Sequence, residues 1–253
     1  MIDHDHDPAK LANFRELGGL PVAGGVLRHG QLYRADDLAT IDALEAQRVT
    51  DSGITLILDL RSLDEAERTG RGPLEHTEVD YVNLPLLGQA SAPHQIMAEA
   101  AETGFTPEVM GIWYHRLLAD AAPLVIEALD RIAKAEGPVV FHCAAGKDRT
   151  GLVAACLLAA LGASNEVIVE DYAKTQAAMP AIISRITASQ PNVDFAQLQD
   201  AGSMLRADAD SMRTFLALSS QPSGTLADTI ADLGLSQETV AELRRKYVLA
   251  EAK

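Results

Sequence analysis

Short β-branched and apolar runs alternate with longer stretches of helical spacing along most of the chain, and this rhythm predicts one α/β domain. Residues 54–58 and 79–84 read as strands, and so does 139–141 (Val-Val-Phe), which the breaker Gly137-Pro138 opens. Residues 41–52 carry apolar positions at helical intervals and stop at Gly53. From 92 to 135 the chain reads as largely helical, with Pro107 and Pro123 as helix starts. Residues 152–161 form an Ala/Leu-rich helix ending at Gly162, and 164–175, 180–189, 207–218, 225–233 and 236–248 also show helical spacing. Residues 26–34, with Gly30 in the middle, predict a small hairpin. The expected architecture is a central, mostly parallel sheet flanked by helices, with a helical lid drawn from residues 88–107 or 179–213. Residues 1–12 are expected to form a flexible tail, and residues 13–253 one domain with a helical C-terminal segment.

Between the strand at 139–141 and the helix at 152–161 lies His142-Cys143-Ala144-Ala145-Gly146-Lys147-Asp148-Arg149-Thr150-Gly151, a Cys-x5-Arg spacing. Such a loop can curl so that the backbone N–H groups of Ala144 to Arg149 converge on one tetrahedral anion, with the positive end of the following helix adding to the field. Gly146 lets the backbone approach without a Cβ in the way. The same field favours a thiolate at Cys143, an ionised nucleophile. Arg149 offers a planar fork for two phosphoryl oxygens, and Lys147 adds a second cation. Thr150 can donate its hydroxyl to the sulfur when a thiophosphate breaks, and His142 is expected to order the loop through a backbone hydrogen bond. A Walker loop is rejected, because it needs Gly where Phe141 stands and Ser or Thr where Asp148 stands. Cys156, in an apolar helical stripe with Leu152, Val153 and Leu157, reads as core packing.

The loop, together with Asn13-Phe14-Arg15-Glu16-Leu17-Gly18-Gly19, Tyr33-Arg34-Ala35-Asp36-Asp37-Leu38 and Asp59-Leu60-Arg61-Ser62, resembles the bacterial cysteine phosphatases typified by the mycobacterial protein tyrosine phosphatase B. The resemblance runs from about residue 13 to the segment 226–248. It implies a phosphotyrosine-phosphatase-like domain, activity on phosphotyrosine and, in this branch, on phosphoserine, phosphothreonine and phosphoinositides. It implies no metal or organic cofactor.

A hydrolase of this type needs a carboxylic acid to protonate the leaving oxygen and, as the carboxylate, to activate water. Asp148 lies within the loop and matches the aspartate that myotubularin-type lipid phosphatases carry one residue before their arginine; its bland alternative is an acceptor for loop N–H groups. Asp59, at a strand end beside Arg61, is the other candidate, and a structural ion pair with Arg61 or Arg34 is its bland alternative. Asp171 is expected to brace the loop from behind, and Arg61 to add positive charge to the pocket.

Charge limits the partners. With 36 acidic against 21 basic residues the net charge is −15, which repels nucleic acid and anionic lipid headgroups over a Debye length of about 10 Å. Attraction for phosphate must therefore be local. No apolar run approaches the roughly 18 residues of a membrane span, so no stable membrane insertion is expected. Two cysteines argue against a disulfide framework and for a reducing workplace. The chain start lacks a secretory signal, so the expected location is cytoplasmic, or, as the resemblance implies, exported without an ordinary signal peptide. The histidines and aspartates of residues 3–7 read as a solvated tail and not as a metal site. Three readings stand beside a phosphotyrosine phosphatase: a phosphoinositide phosphatase; an inactive phosphate-binding module, which would be expected to lose Cys, Arg or the acid; and a rhodanese or arsenate reductase. The last needs either no such Lys-Asp-Arg-Thr set or further redox cysteines.

Overall fold

Four short strands, β4 (Leu32–Ala35), β5 (Leu56–Asp59), β6 (Asp80–Asn83) and β7 (Val139–His142), lie parallel in the order β4-β7-β5-β6. A two-residue strand, β1 (Arg15–Glu16), adds antiparallel to the β4 edge. The computed structural model from which this is read describes residues 7, 9–87, 100, 104–189, 202–222 and 224–250. β7 is central and all four of its residues are buried, as expected for a parallel strand covered on both faces. Its register sets His142 between Ala35 of β4 and Asp59 of β5, so three strands end together where the Cys143 loop departs. That carboxyl edge is where open α/β sheets bind ligands.

Two hydrophobic cores cover the two faces. The larger one is built around α4 (Asp148–Leu161), in which every residue from Thr150 to Leu161 is buried. Its alanines allow close approach of α3 (Pro107–Lys134), α5 (Asn165–Ala173) and α8 (Leu226–Asp232), while α7 (Ala209–Ser219) packs on α3 and α5. The smaller core joins Ile57 and Val140 to Val49 of α1 (Ala43–Asp51) and to Leu74.

Several boundaries differ from expectation. Residues 26–34 do not form a hairpin. β3 (Gly25–Leu27) instead pairs with β2 (Pro21–Val22) and β8 (Val248–Ala250) in a second, antiparallel sheet, while β4 enters the main one. Pro107 does start α3, behind the N-cap Thr106, but Pro123 lies inside that helix, and Pro180 lies inside α6 (Thr175–Ser189). The missing N–H and ring crowding at Pro123 are outweighed by an apolar face, Leu117, Leu118, Ala121, Ala122, Val125 and Leu129, that stays buried on both sides of it. The tail expected over residues 1–12 is tied down before its end: Leu11 N–H donates to Glu45 Oε1 at 3.2 Å, Ala12 N–H to Asp36, and Arg185 to the Lys10 carbonyl. Most of the first expected lid stretch, residues 190–201 of the second, and the histidines at positions 4 and 6 lie outside the described residues. No helix among the described residues is long and apolar enough to cross a membrane.

Candidate active site

The loop from Cys143 to Lys147 turns on Gly146, whose φ of +65° suits glycine alone. A Cβ there would also meet the Ala35 carbonyl oxygen at 2.4 Å and Asn13 Nδ2 at 2.8 Å. The carbonyls of the loop are engaged from behind, one after another. Leu60 N–H donates to His142 O at 2.8 Å, His142 Nδ1 to Cys143 O at 3.3 Å, and Asp37 N–H to Ala144 O at 3.1 Å. Asn13 Nδ2 reaches Ala145 O at 3.3 Å and Gly146 O at 3.1 Å, and Arg34 Nη2 reaches Gly146 O at 2.7 Å. In a trans peptide the N–H points opposite the C=O, so carbonyls drawn outward turn the amides of Ala144 to Lys147 inward. Cys143 sits at the base of this cradle, 1 % exposed.

Arg149, in the first turn of α4, is set by Glu65 of α2 (Leu63–Thr69): Nη1 donates to Oε2 at 2.5 Å and Nη2 to Oε1 at 3.0 Å. Glu65 in turn closes a capping box with Ser62, accepting its N–H at 2.8 Å. Burial would push the Glu65 carboxyl up, but the hydrogen bonds and charge of Arg149, with Ser62, bring its pKa down to about 2. Burial also opposes the charge on Arg149, and Glu65 together with the pull of Cys143 and Asp148 overcomes it and raises its pKa. Thr150 Oγ1 is buried with no hydrogen-bond partner among the described residues, a donor in want of an acceptor beside the loop.

Asp148 is a quarter exposed and accepts a hydrogen bond from the Tyr114 hydroxyl of α3 at 2.6 Å. The Tyr114 oxygen also meets the Tyr172 hydroxyl of α5 at 2.7 Å. Lys147 departs from expectation. Its backbone belongs to the loop, but its side chain is buried and Nζ donates to the carbonyls of Met204 at 2.5 Å, Arg206 at 3.1 Å and Ser203 at 3.4 Å. It fastens the residues around the 3-10 turn Gly202–Leu205 to the loop, and it lies 3.3 Å from Asp148 Oδ1.

Asp59 is fully buried and fully engaged. It accepts from Arg61 Nη2 at 2.6 Å, from Arg61 N–H at 2.9 Å and from the Tyr81 hydroxyl at 2.7 Å, and it lies 3.7 Å from His142 Nε2. Burial pushes its pKa up, but the pull of His142 and the contacts with Arg61 and Tyr81 leave it well below the usual carboxylate range. So held, Asp59 forms the structural ion pair with Arg61 that was its bland alternative. The same pairing corrects Arg61 as a pocket cation: it is 1 % exposed and spent on Asp59, Asp37, Thr69 and the Gly70 carbonyl. Asp171 lies behind the loop. It holds Arg34 Nη1 at 2.5 Å and Arg15 Nε at 3.2 Å, and Arg34 carries the connection on to Gly146. Burial raises the Asp171 pKa, and the two arginines bring it below the usual range. Cys156 is wholly buried, its thiol pushed up to about 12 by burial.

The residues not singled out for the site are Glu65, Tyr114, Asn13 and Arg34. The last two stood inside motifs already noted, and Ser62-Leu63-Asp64-Glu65 carried a capping-box signature. Nothing in the sequence marks Tyr114.

A ring of amides around one tetrahedral site, an arginine fork aligned beside it and a sulfur beneath it match a phosphoryl group in size, charge and geometry. Fold and site together define a phosphatase. The chain belongs to the tyrosine phosphatase family, whose model matches residues 7–249. It is 28 % identical over 264 residues to the triple specificity protein phosphatase PtpB of Mycobacterium tuberculosis, an alignment covering 92 % of this chain and 95 % of that one. It is also 33 % identical over 141 residues to a tyrosine-protein phosphatase of Nostoc commune, covering 55 % of this chain and 46 % of the relative.

Proposed function

We propose that the chain hydrolyses phosphotyrosine in proteins by two displacements at phosphorus. In the first, Cys143 forms the S–P bond as the P–O bond breaks, and Asp148 gives its proton to the departing oxygen. In the second, the Asp148 carboxylate takes a proton from water, the water oxygen attacks phosphorus, and the S–P bond breaks to return the thiolate and release phosphate. The hydroxyl of Thr150 donates to that sulfur. The loop amides and Arg149 hold the equatorial oxygens through both transition states, where prealigned donors are worth most. The observation that carries this reading is the loop itself, with its carbonyls engaged from behind and its arginine prealigned by Glu65. Neither displacement draws on a metal or organic cofactor.

The triple specificity in the name of the mycobacterial relative supports a wider substrate range for the same site, and with the family resemblance we extend it to phosphoserine and phosphothreonine. A second phosphate-facing cation at Lys147 would support a preference for an inositol with neighbouring phosphates. With Nζ bound to three backbone carbonyls, that support is gone, and phosphotyrosine leads. Phosphate release from phosphotyrosine, phosphoserine and phosphothreonine peptides and from inositol lipids, in chelator, tests the reading. Phosphotyrosine peptide is expected to turn over fastest. Cys143→Ser should abolish turnover and keep vanadate binding, whereas Arg149→Ala should lose both. More than a trace of activity in Cys143→Ser would refute covalent catalysis at this residue.

A further inference from the structure

The two oxygens of the Asp148 carboxyl are in different surroundings. Oδ1 accepts the Tyr114 hydroxyl at 2.6 Å and faces Lys147 Nζ at 3.3 Å; among the described residues both contacts fall on Oδ1 and none on Oδ2. Tyr114 has little room to move. It is 1 % exposed, its ring packs edge-on against Tyr172 at 5.9 Å and Phe215 at 6.4 Å, and its oxygen is shared with the Tyr172 hydroxyl. Three helices, α3, α5 and α7, thereby fix the position of one hydroxyl. An oxygen that already accepts a phenol O–H beside an ammonium is a poor place for a further proton, so a proton on Asp148 belongs on Oδ2.

We propose that Tyr114 is a positioning residue for the reaction: its hydroxyl, backed by Tyr172, holds Oδ1 of Asp148 so that Oδ2 delivers the proton to the leaving oxygen. The proposal rests on the reading of Asp148 as the acid. In the first step the Oδ2–H bond breaks as the leaving oxygen gains its hydrogen, and in the second Oδ2 takes a proton back from water. The phenolic proton of Tyr114 stays where it is throughout. Burial, then the charge of Asp148 and the neighbouring Tyr172, raise the Tyr114 pKa well above its ordinary value and keep the group a donor.

The test is a leaving-group series of alkyl, phenyl and nitrophenyl phosphates, read as kcat/KM of the full chain. That parameter ends at cysteine phosphorylation, the step in which the leaving group needs its proton. Tyr114→Phe keeps the ring and removes only the hydroxyl. It is expected to lower kcat/KM about tenfold or more on alkyl and phenyl phosphates and less than about threefold on nitrophenyl phosphate, whose phenol leaves without help. Tyr172→Phe should steepen the same dependence by a smaller factor, and it carries the test if Tyr114→Phe does not fold. Combined with Asp148→Asn, Tyr114→Phe should add no further loss, because Tyr114 acts only through Asp148. If Asp148→Asn steepens the dependence and both tyrosine variants keep the wild-type slope, the role of Tyr114 is overturned and the acid assignment stands. A uniform loss on every leaving group in Tyr114→Phe would equally overturn it, as the mark of a merely structural residue. If Asp148→Asn itself leaves the slope unchanged, both assignments fall.

Discussion

Glu65 illustrates how one side chain serves folding and chemistry together. It caps α2 through Ser62 and holds both terminal nitrogens of Arg149. Glu65→Gln keeps the size but presents an N–H donor where the guanidinium needs an acceptor. We expect kcat/KM for aryl phosphates to fall, and the dissociation constant for vanadate to rise, about tenfold, the size of one misaligned charge-assisted contact. An unchanged vanadate affinity would show that Arg149 finds its position without Glu65. The same residue carries a pH signature. Its folded pKa of about 2 lies below the 4.5 of an unperturbed Glu, so its stabilisation is complete above pH 4.5 and is lost as pH falls towards 2. Melting temperature should fall less steeply across that window in Glu65→Gln than in the wild type. The capping-box spacing of Glu65 was legible in the sequence, but its partnership with Arg149, 84 residues away, was not.

The helices meet closely where small residues allow it, and α3 against α7 is the clearest case. A Cβ on Gly111 would stand 2.5 Å from Thr214 Cβ and 2.8 Å from the Ser211 carbonyl oxygen. Gly111→Ala gains up to about 1 kcal/mol of helix propensity but overpacks a tight crossing at about 1–3 kcal/mol, so a net loss is expected. Calorimetry should find the melting temperature lowered by a few degrees; a value at or above wild type would mean that α3 and α7 do not touch at this point. Periodicity located these elements well, because a buried face leaves its mark at 3.6 or 2 residues whatever it packs against. It misread their ends and partners at 26–34, Pro123 and Pro180, where local turn and breaker preferences competed with burial of long-range neighbours and lost. β3 is paired by β8, more than 220 residues later, which no local window can see.

At the scale of the molecule, a phosphate site built from loop amides and Arg149 sits in a body of net charge −15. The Debye length is about 30 Å at 0.01 M salt and about 8 Å at 0.15 M, so the acidic surface acts on approaching substrate mainly at low salt. Raising salt over that range should increase kcat/KM for an acidic phosphotyrosine peptide and decrease it for a basic one. Identical salt dependence for the two peptides would mean that only the local field of the loop is felt. The sequence by itself determined the class of fold and the reacting loop. A Cys-x5-Arg loop between a strand and a helix is a local object, and its chemistry is written in contiguous residues from Cys143 to Thr150. How each candidate carboxylate is held was decided only in three dimensions. Asp59 and Asp148 are alike as letters, yet Asp59 is closed around Arg61, Tyr81 and His142, while Asp148 stays partly open and is held at one oxygen by Tyr114. The orientation of Lys147 away from the cradle was decided in the same way, by the carbonyls of Ser203, Met204 and Arg206 brought to it by the fold. The protonation and direction of a side chain follow from burial and partners, and these are properties of packing between distant segments that neighbouring residues do not encode.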